Sequence, residues 1–205
     1  MKLSSTPKAL RYAVGVAAIA IGAAACVPTT PPGTTTTTSE APVTVPACVE
    51  QPGSVTVGSV TLSASQVTCL EVGDVVTVSG SGYNTTGNLG TRPPFSGLPA
   101  GAYVIFGEFA EVWQPSLGNA VAPGSTRKSL TQQWAVPNPT FTNNTNGQLP
   151  YVLLQADGTF STQITIAAPT NTNPNLGFAT YAGGGAINAA EELFLAASWA
   201  PAPAE

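Results

Sequence analysis

"GDVVTVSGSGY", Gly73–Tyr83, sets the reading of the fold. Val76 and Val78 fall on one face and Thr77 and Ser79 on the other, the period-two pattern of a half-buried strand. The Gly80 and Gly82 pair then breaks the run, as turn residues do at the end of a strand.

The same grammar recurs along the chain. "SVTVGSVTL", Ser54–Leu62, alternates Val55 and Val57 with Thr56 and Gly58 and reads as a single strand. "GAYVIFGEF", Gly101–Phe109, is apolar on both faces, with Val104 and Phe106 opposite Tyr103 and Ile105, the pattern of a central strand. "LPYVLLQADGTFSTQITIAA", Leu149–Ala168, reads as a hairpin turning at Ala156-Asp157-Gly158. "LGFATYAGGGA" and "EELFLAASW" supply a last pair. Ala, Glu and Leu in Ala186–Ser198 favour helix, but a sandwich needs a closing strand there. We therefore expect a turn at 186–190 and a strand over about 191–198. Seven or so short strands separated by Gly, Pro and Asn turns predict an all-β sandwich with long loops.

"GDVVTVSGSGY" and "ADGTFSTQITI", 22 residues together, resemble two strand segments of the neocarzinostatin-like immunoglobulin-fold sandwiches of secreted bacterial proteins. The resemblance implies an immunoglobulin-like antiparallel sandwich. It implies no chromophore site, because that family's two disulfides lie in later parts of the sandwich and the cysteines here do not.

The N-terminal quarter is of another kind. Lys2, Lys8 and Arg11 precede fourteen uncharged, mostly apolar residues, Tyr12–Ala25, ending in three alanines. This reads as a secretory signal peptide, short for a membrane span, with a retained N-terminal membrane helix as the alternative. Cys26 follows at once. The junction resembles a bacterial lipobox, with Ala23 where a larger aliphatic is usual. It implies a lipid on the Cys26 sulfur and attachment to the outer face of the cell membrane; cleavage that releases a soluble protein is the alternative. Of the twenty residues Val27–Pro46, thirteen are Thr or Pro, a composition that stays extended and reads as a tether. The expected organisation is signal peptide 1–25, lipidated cysteine and tether 26–46, sandwich 47–199 and tail 200–205. Cys48 and Cys69 lie inside the sandwich region and should pair in an oxidising compartment.

Charge and chemistry exclude much. Only 8% of residues are charged. Past residue 25, Arg92, Arg127 and Lys128 face all ten acidic residues, a formal −7. Such a surface repels nucleic acid. The chain has no histidine, which removes the commonest general base and the Ser-His-Asp triad and leaves too few ligands for zinc. Neither cofactor nor metal is expected. "STRK", Ser125–Lys128, lacks the partner motifs of penicillin-binding enzymes. Glu108 and Glu111 would suit a glycosidase only if they converged; as residues of a strand end they read as solvated charges on opposite faces. "AGGGA", Ala182–Ala186, lacks the Lys-Ser/Thr of a phosphate loop and reads as a turn with positive φ.

One segment stands out. Arg92–Trp134 holds every basic residue beyond position 25 and two of the three tryptophans. After its strand it runs through a long Pro, Gly and Ser-rich loop, where binding residues concentrate. Trp113, Gln114, Arg127, Lys128 and Trp134 form a candidate recognition patch; a tryptophan plugging the sandwich core is the alternative for either Trp. The expected function is a surface-tethered, non-enzymatic binding or envelope-structural module with an extracellular or envelope partner. A carrier of a small apolar ligand and a histidine-free carboxylate hydrolase are the alternatives.

Overall fold

A computed structural model describes residues 47–118, 123–145, 147–148 and 150–201. The expected signal peptide, Cys26 and the expected tether lie outside the described residues. Among the described residues nine strands form two sheets: β1 Gly53–Val57, β2 Val60–Ala64, β3 Val75–Ser81, β4 Ala102–Phe109, β5 Arg127–Pro137, β6 Tyr151–Leu154, β7 Phe160–Thr165, β8 Asn175–Ala182 and β9 Leu193–Ala196. One sheet runs β1-β2-β3-β7 and the other β6-β5-β4-β8-β9. The inner parts of these orders, β2-β3-β7 against β5-β4-β8-β9, match the A-B-E and C′-C-F-G strands of an immunoglobulin sandwich. Every pairing is antiparallel except β5 with β6.

Alternation builds the core. Val76 and Val78 of β3, Phe160 and Ile164 of β7, and Val60 and Leu62 of β2 meet Val104 and Phe106 of β4 and Phe178 of β8. Phe106, Phe178 and Leu62 are fully buried, each worth about 1.5–3 kcal/mol over exposure. β4 is the central strand its composition predicts, with β5 and β8 on either side. Near the C-terminus, a 3₁₀ turn at Ala189–Glu191 leads into β9, as expected.

Two expectations need correction. "SVTVGSVTL" is not one strand but a tight hairpin, β1 and β2, with Val57 opposite Val60 across Gly58-Ser59. The uniform Val/Thr alternation hid the turn, because nothing but Gly58 marks it. "LPYVLLQADGTFSTQITIAA" is not a hairpin within one sheet. Its turn closes through Gln155 N–H to Thr159 O (2.8 Å) and Gly158 N–H to Gln155 O (2.9 Å), but the arms then part. β6 pairs with β5 and β7 crosses to β3. The physical reason is a tertiary contact. Tyr83 N–H donates to Gly158 O (3.1 Å), which pins the turn to the end of β3 and delivers β7 to that sheet.

Cys48 and Cys69 are disulfide-bonded, 21 residues apart in sequence. The bridge ties the entry of the domain to the segment after β2. That segment also holds the C-terminal end, through Leu70 N–H to Ser198 O (3.1 Å) and Ala200 N–H to Leu70 O (3.0 Å). Ala200, the first residue of the expected tail, is thus anchored, and residues 202–205 lie outside the described part. Reducing the bridge should cost about 3 kcal/mol by the loop-entropy model, read as a lower urea midpoint with dithiothreitol than without. An unchanged midpoint would show that the strand network alone holds this corner.

A cleft on the outer face of the five-stranded sheet

The five-stranded sheet has a second apolar surface, facing away from the core. Tyr103, Ile105 and Phe109 of β4, Ala179 and Tyr181 of β8, and Phe194 of β9 lie on it, with Trp113 laid across. At the other end Trp134 and Val136 of β5 pack with Phe95, Tyr151 and Phe141. The long loops flanking β4 therefore fold back as a cover rather than stand off the scaffold.

This geometry places each member of the predicted patch. Trp113 is 4% exposed, its ring 5.2 Å from Phe109. Trp134 is 6% exposed, edge-on to Phe95 at 4.7 Å, and its indole N–H donates to Ala100 O (2.5 Å). Neither plugs the space between the sheets, where aromatic filling comes from Phe106, Phe160, Phe178 and Tyr83. Gln114 and Lys128 are half-buried. Arg127 is 5% exposed, donates from Nη1 to Trp113 O (2.6 Å) and lies 5.1 Å above the Tyr181 ring. Trp113 and Arg127 are thus brought together, and Trp134 stands at the far end, bridged to them by Tyr103 and Tyr181. The Tyr103 ring is 4.5 Å from Trp134 and 5.3 Å from Tyr181.

Between the two aromatic groups a cleft of about 360 Å³ opens. Tyr103, Tyr181, Ser129 and Gln132 line it from the strands. A bulge opposite Phe106 and Gly107, where β5 carries an extra residue, shifts the register between Ser129 and Thr131. Such a bulge re-aims the side chains that follow it, and both Ser129 and Gln132 reach the cleft. Arg92 and the Gly184–Ala186 turn form one rim, and Pro115 and Arg127 another part of the wall. No acidic side chain is among the described lining residues. Two of the three cations beyond position 25 converge in a chain that is otherwise strongly negative.

Four features set the charge pattern. Gly184 O accepts from Thr91 N–H (2.9 Å) and Arg92 N–H (3.1 Å), which fixes the Arg92 backbone at the rim. Gly184 and Gly185 sit at φ +62 and +83, the turn that "AGGGA" predicts, and a Cβ at Gly185 would fall 2.7 Å from Arg92 Nε. Glycine therefore leaves the Arg92 side chain room to lie over the turn. Arg127 Nε is buried and has no hydrogen-bond partner, a donor that a folded protein seldom leaves unmet. Burial raises the pKa of both tyrosines, outweighing the nearby guanidinium charge, so each phenol stays neutral and able to donate.

No family model, curated protein or solved structure matches the chain. The reading of the cleft rests on its own chemistry.

The carboxylates lie elsewhere. Glu111 is exposed, as expected. Glu108 is not the solvated charge its sequence position suggests, being only 2% exposed. Its oxygens accept from the backbone N–H groups of Thr170 (2.6 Å), Asn171 (2.7 Å) and Thr172 (2.7 Å) and from the Thr170 hydroxyl (2.8 Å). Asn171 at φ +55 makes this a backbone nest, a cradle for an anion that the chain fills itself. Burial works to raise the Glu108 pKa, and the hydrogen bonds prevail and lower it. Glu191, 1% exposed, accepts from Asn84 N–H (2.6 Å) and Asn88 Nδ2 (2.5 Å). There burial prevails and its pKa is raised. Among the described residues, no group of three or more Cys, Asp and Glu is placed to hold a metal ion.

Arg92, Tyr103, Tyr181 and Gln132 were missed as site residues. Arg92 carried a signal, as a rare cation within the singled-out segment. The tyrosines carried none, because on a central strand their pattern is that of core.

Proposed function

We propose that this chain is an exported, lipid-anchored recognition module that binds its ligand without transforming it. The observation that supports this reading is the position of the cleft, on the outside of a sandwich whose interior is filled. An apolar ligand carried between the sheets would need the volume that Phe106, Phe178 and Leu62 occupy. A carboxylate hydrolase would need two acids in one groove, whereas Glu108 and Glu191 are taken up by hydrogen bonds from their own chain. A two-sheet scaffold with binding groups on one face, on a Thr/Pro-rich tether from a lipidated Cys26, suits capture at a cell surface. Among the described residues no helix is long and apolar enough to cross a membrane.

The test has two readouts on the full chain, produced with its leader. In detergent partitioning the wild type should enter the detergent phase and Cys26→Ala the aqueous phase; a wild type that stays aqueous overturns the anchor. In an NMR screen of small polar fragments, shifts should cluster on Tyr103, Gln132, Tyr181 and Gly184–Ala186. Shifts scattered over the surface, or none, overturn the binding role.

A further inference from the structure

Resting on that reading of the cleft, we infer that its ligand is a carboxylated sugar ring, a uronic-acid residue at the end of or within an acidic saccharide. Arg92 and Arg127 share a cleft with no acidic residue among its described lining, and the Nε–H of Arg127 is buried without an acceptor. The guanidinium is held over Tyr181 with Nη1 committed to Trp113 O, and its unpaired Nε–H is a donor that a planar anion entering beside it would satisfy. A carboxylate matches guanidinium geometry, and such charge-assisted bonds are the strong ones.

Size and the remaining groups narrow the choice. About 360 Å³ is at the small end of ligand pockets, which run from about 300 to 1,000 Å³. It holds one ring and leaves no run of groove for an extended peptide. Ser129, Gln132 and the Tyr103 phenol are neutral donors and acceptors, the complement of ring hydroxyls. Pro93 and Pro115 add apolar surface at the edges, against which the C–H face of a sugar can lie.

Phosphate fits less well. Proteins commonly cradle it in open backbone N–H groups. The turn at this cleft offers none at Gly184, whose N–H is directed to the Tyr103 hydroxyl (3.3 Å) and whose carbonyl already takes Thr91 and Arg92. The backbone nest at Thr170–Thr172 is filled by Glu108.

Titration of the nitrogen-labelled full chain with D-glucuronate, D-glucose, acetate and inorganic phosphate, at neutral pH, decides the matter. Glucuronate should bind at the cleft at least about tenfold more tightly than each of the others. Arg92→Gln, at an exposed position, should keep the spectrum of a folded protein and weaken glucuronate by about fivefold or more. Gln132→Ala should weaken glucuronate and leave acetate unchanged. Glucose binding as well as glucuronate would overturn the acidic class. Acetate or phosphate binding as well would overturn the sugar. No saturation by about 50 mM glucuronate would overturn both. Each of these failures spares the recognition role if the fragment screen still maps to the cleft, and that role falls only if the screen fails.

Discussion

Glu108→Gln should lower stability by about 2–3 kcal/mol at neutral pH, the scale of losing charge-assisted hydrogen bonds to a buried carboxylate. Three consecutive N–H groups and one hydroxyl converge on this one side chain, and an amide offers them less charge and turns a donor toward donors. The loop at 170–172 is what joins β7 to β8 at that end of the sandwich, so its release should also raise amide exchange at Thr170, Asn171 and Thr172. The effect depends on pH with a definite sign. The folded-state pKa of Glu108 lies below its ordinary value of 4.5. Its stabilisation is therefore complete above that value and is lost as pH falls through the folded one. Urea unfolding of wild type and variant should show the full gap at neutral pH and a narrower one near about pH 3. An equal gap at both would show that shape, not charge, holds the loop. Glu191 has the opposite sign. Its pKa is raised, so its contribution is present below the ordinary carboxylate range and is lost as pH rises through the folded value.

Gly101→Ala should be the most damaging single-methyl substitution, at about 3–5 kcal/mol, from a disfavoured backbone angle and a clash together. Gly101 sits at φ +60, and a Cβ there would lie 1.9 Å from Ala135 O and 3.0 Å from Pro137 Cδ. Both belong to β5, the hydrogen-bonded neighbour of β4, and a carbonyl in a sheet cannot swing aside as a side-chain tip can. The carbonyl of Gly101 also accepts from Gly183 N–H (2.8 Å) and Asn88 Nδ2 (3.1 Å). The strain should therefore spread to the turn that forms the cleft rim. Gly97→Ala is the matched control, since Gly97 has φ +75 and nothing within 4 Å of its Cβ position. It should cost only about 1 kcal/mol, the backbone part alone. Equal losses for the two would show that the approach to β5 is not what matters.

The two carboxylates show how far the primary structure could be read. Glu108 ends a strand beside Phe109, and a charge in that position is normally solvated. What buries it is a loop sixty-two residues further on, and local pattern carries no trace of that encounter. Tyr103 and Tyr181 make the same point for the site. Each alternates correctly with core residues, but the outer face of their sheet is covered in part by the Trp113 segment and left open beside it.

Alternation along "GDVVTVSGSGY" and the doubly apolar run of "GAYVIFGEF" by themselves determined the all-β sandwich, because strand pattern is a local property of side-chain direction. The cysteine spacing likewise allowed the Cys48–Cys69 bridge, and the chain's few cations marked the segment that carries the cleft. Only the tertiary structure decided that Ser54–Leu62 doubles back, that β6 and β7 belong to different sheets, and that Arg92 and Arg127 line one cleft with Tyr103 and Tyr181. Those outcomes depend on contacts between residues far apart in the chain, such as Tyr83 with Gly158 and Thr91 with Gly184. Their energy exists only once the sheets have packed.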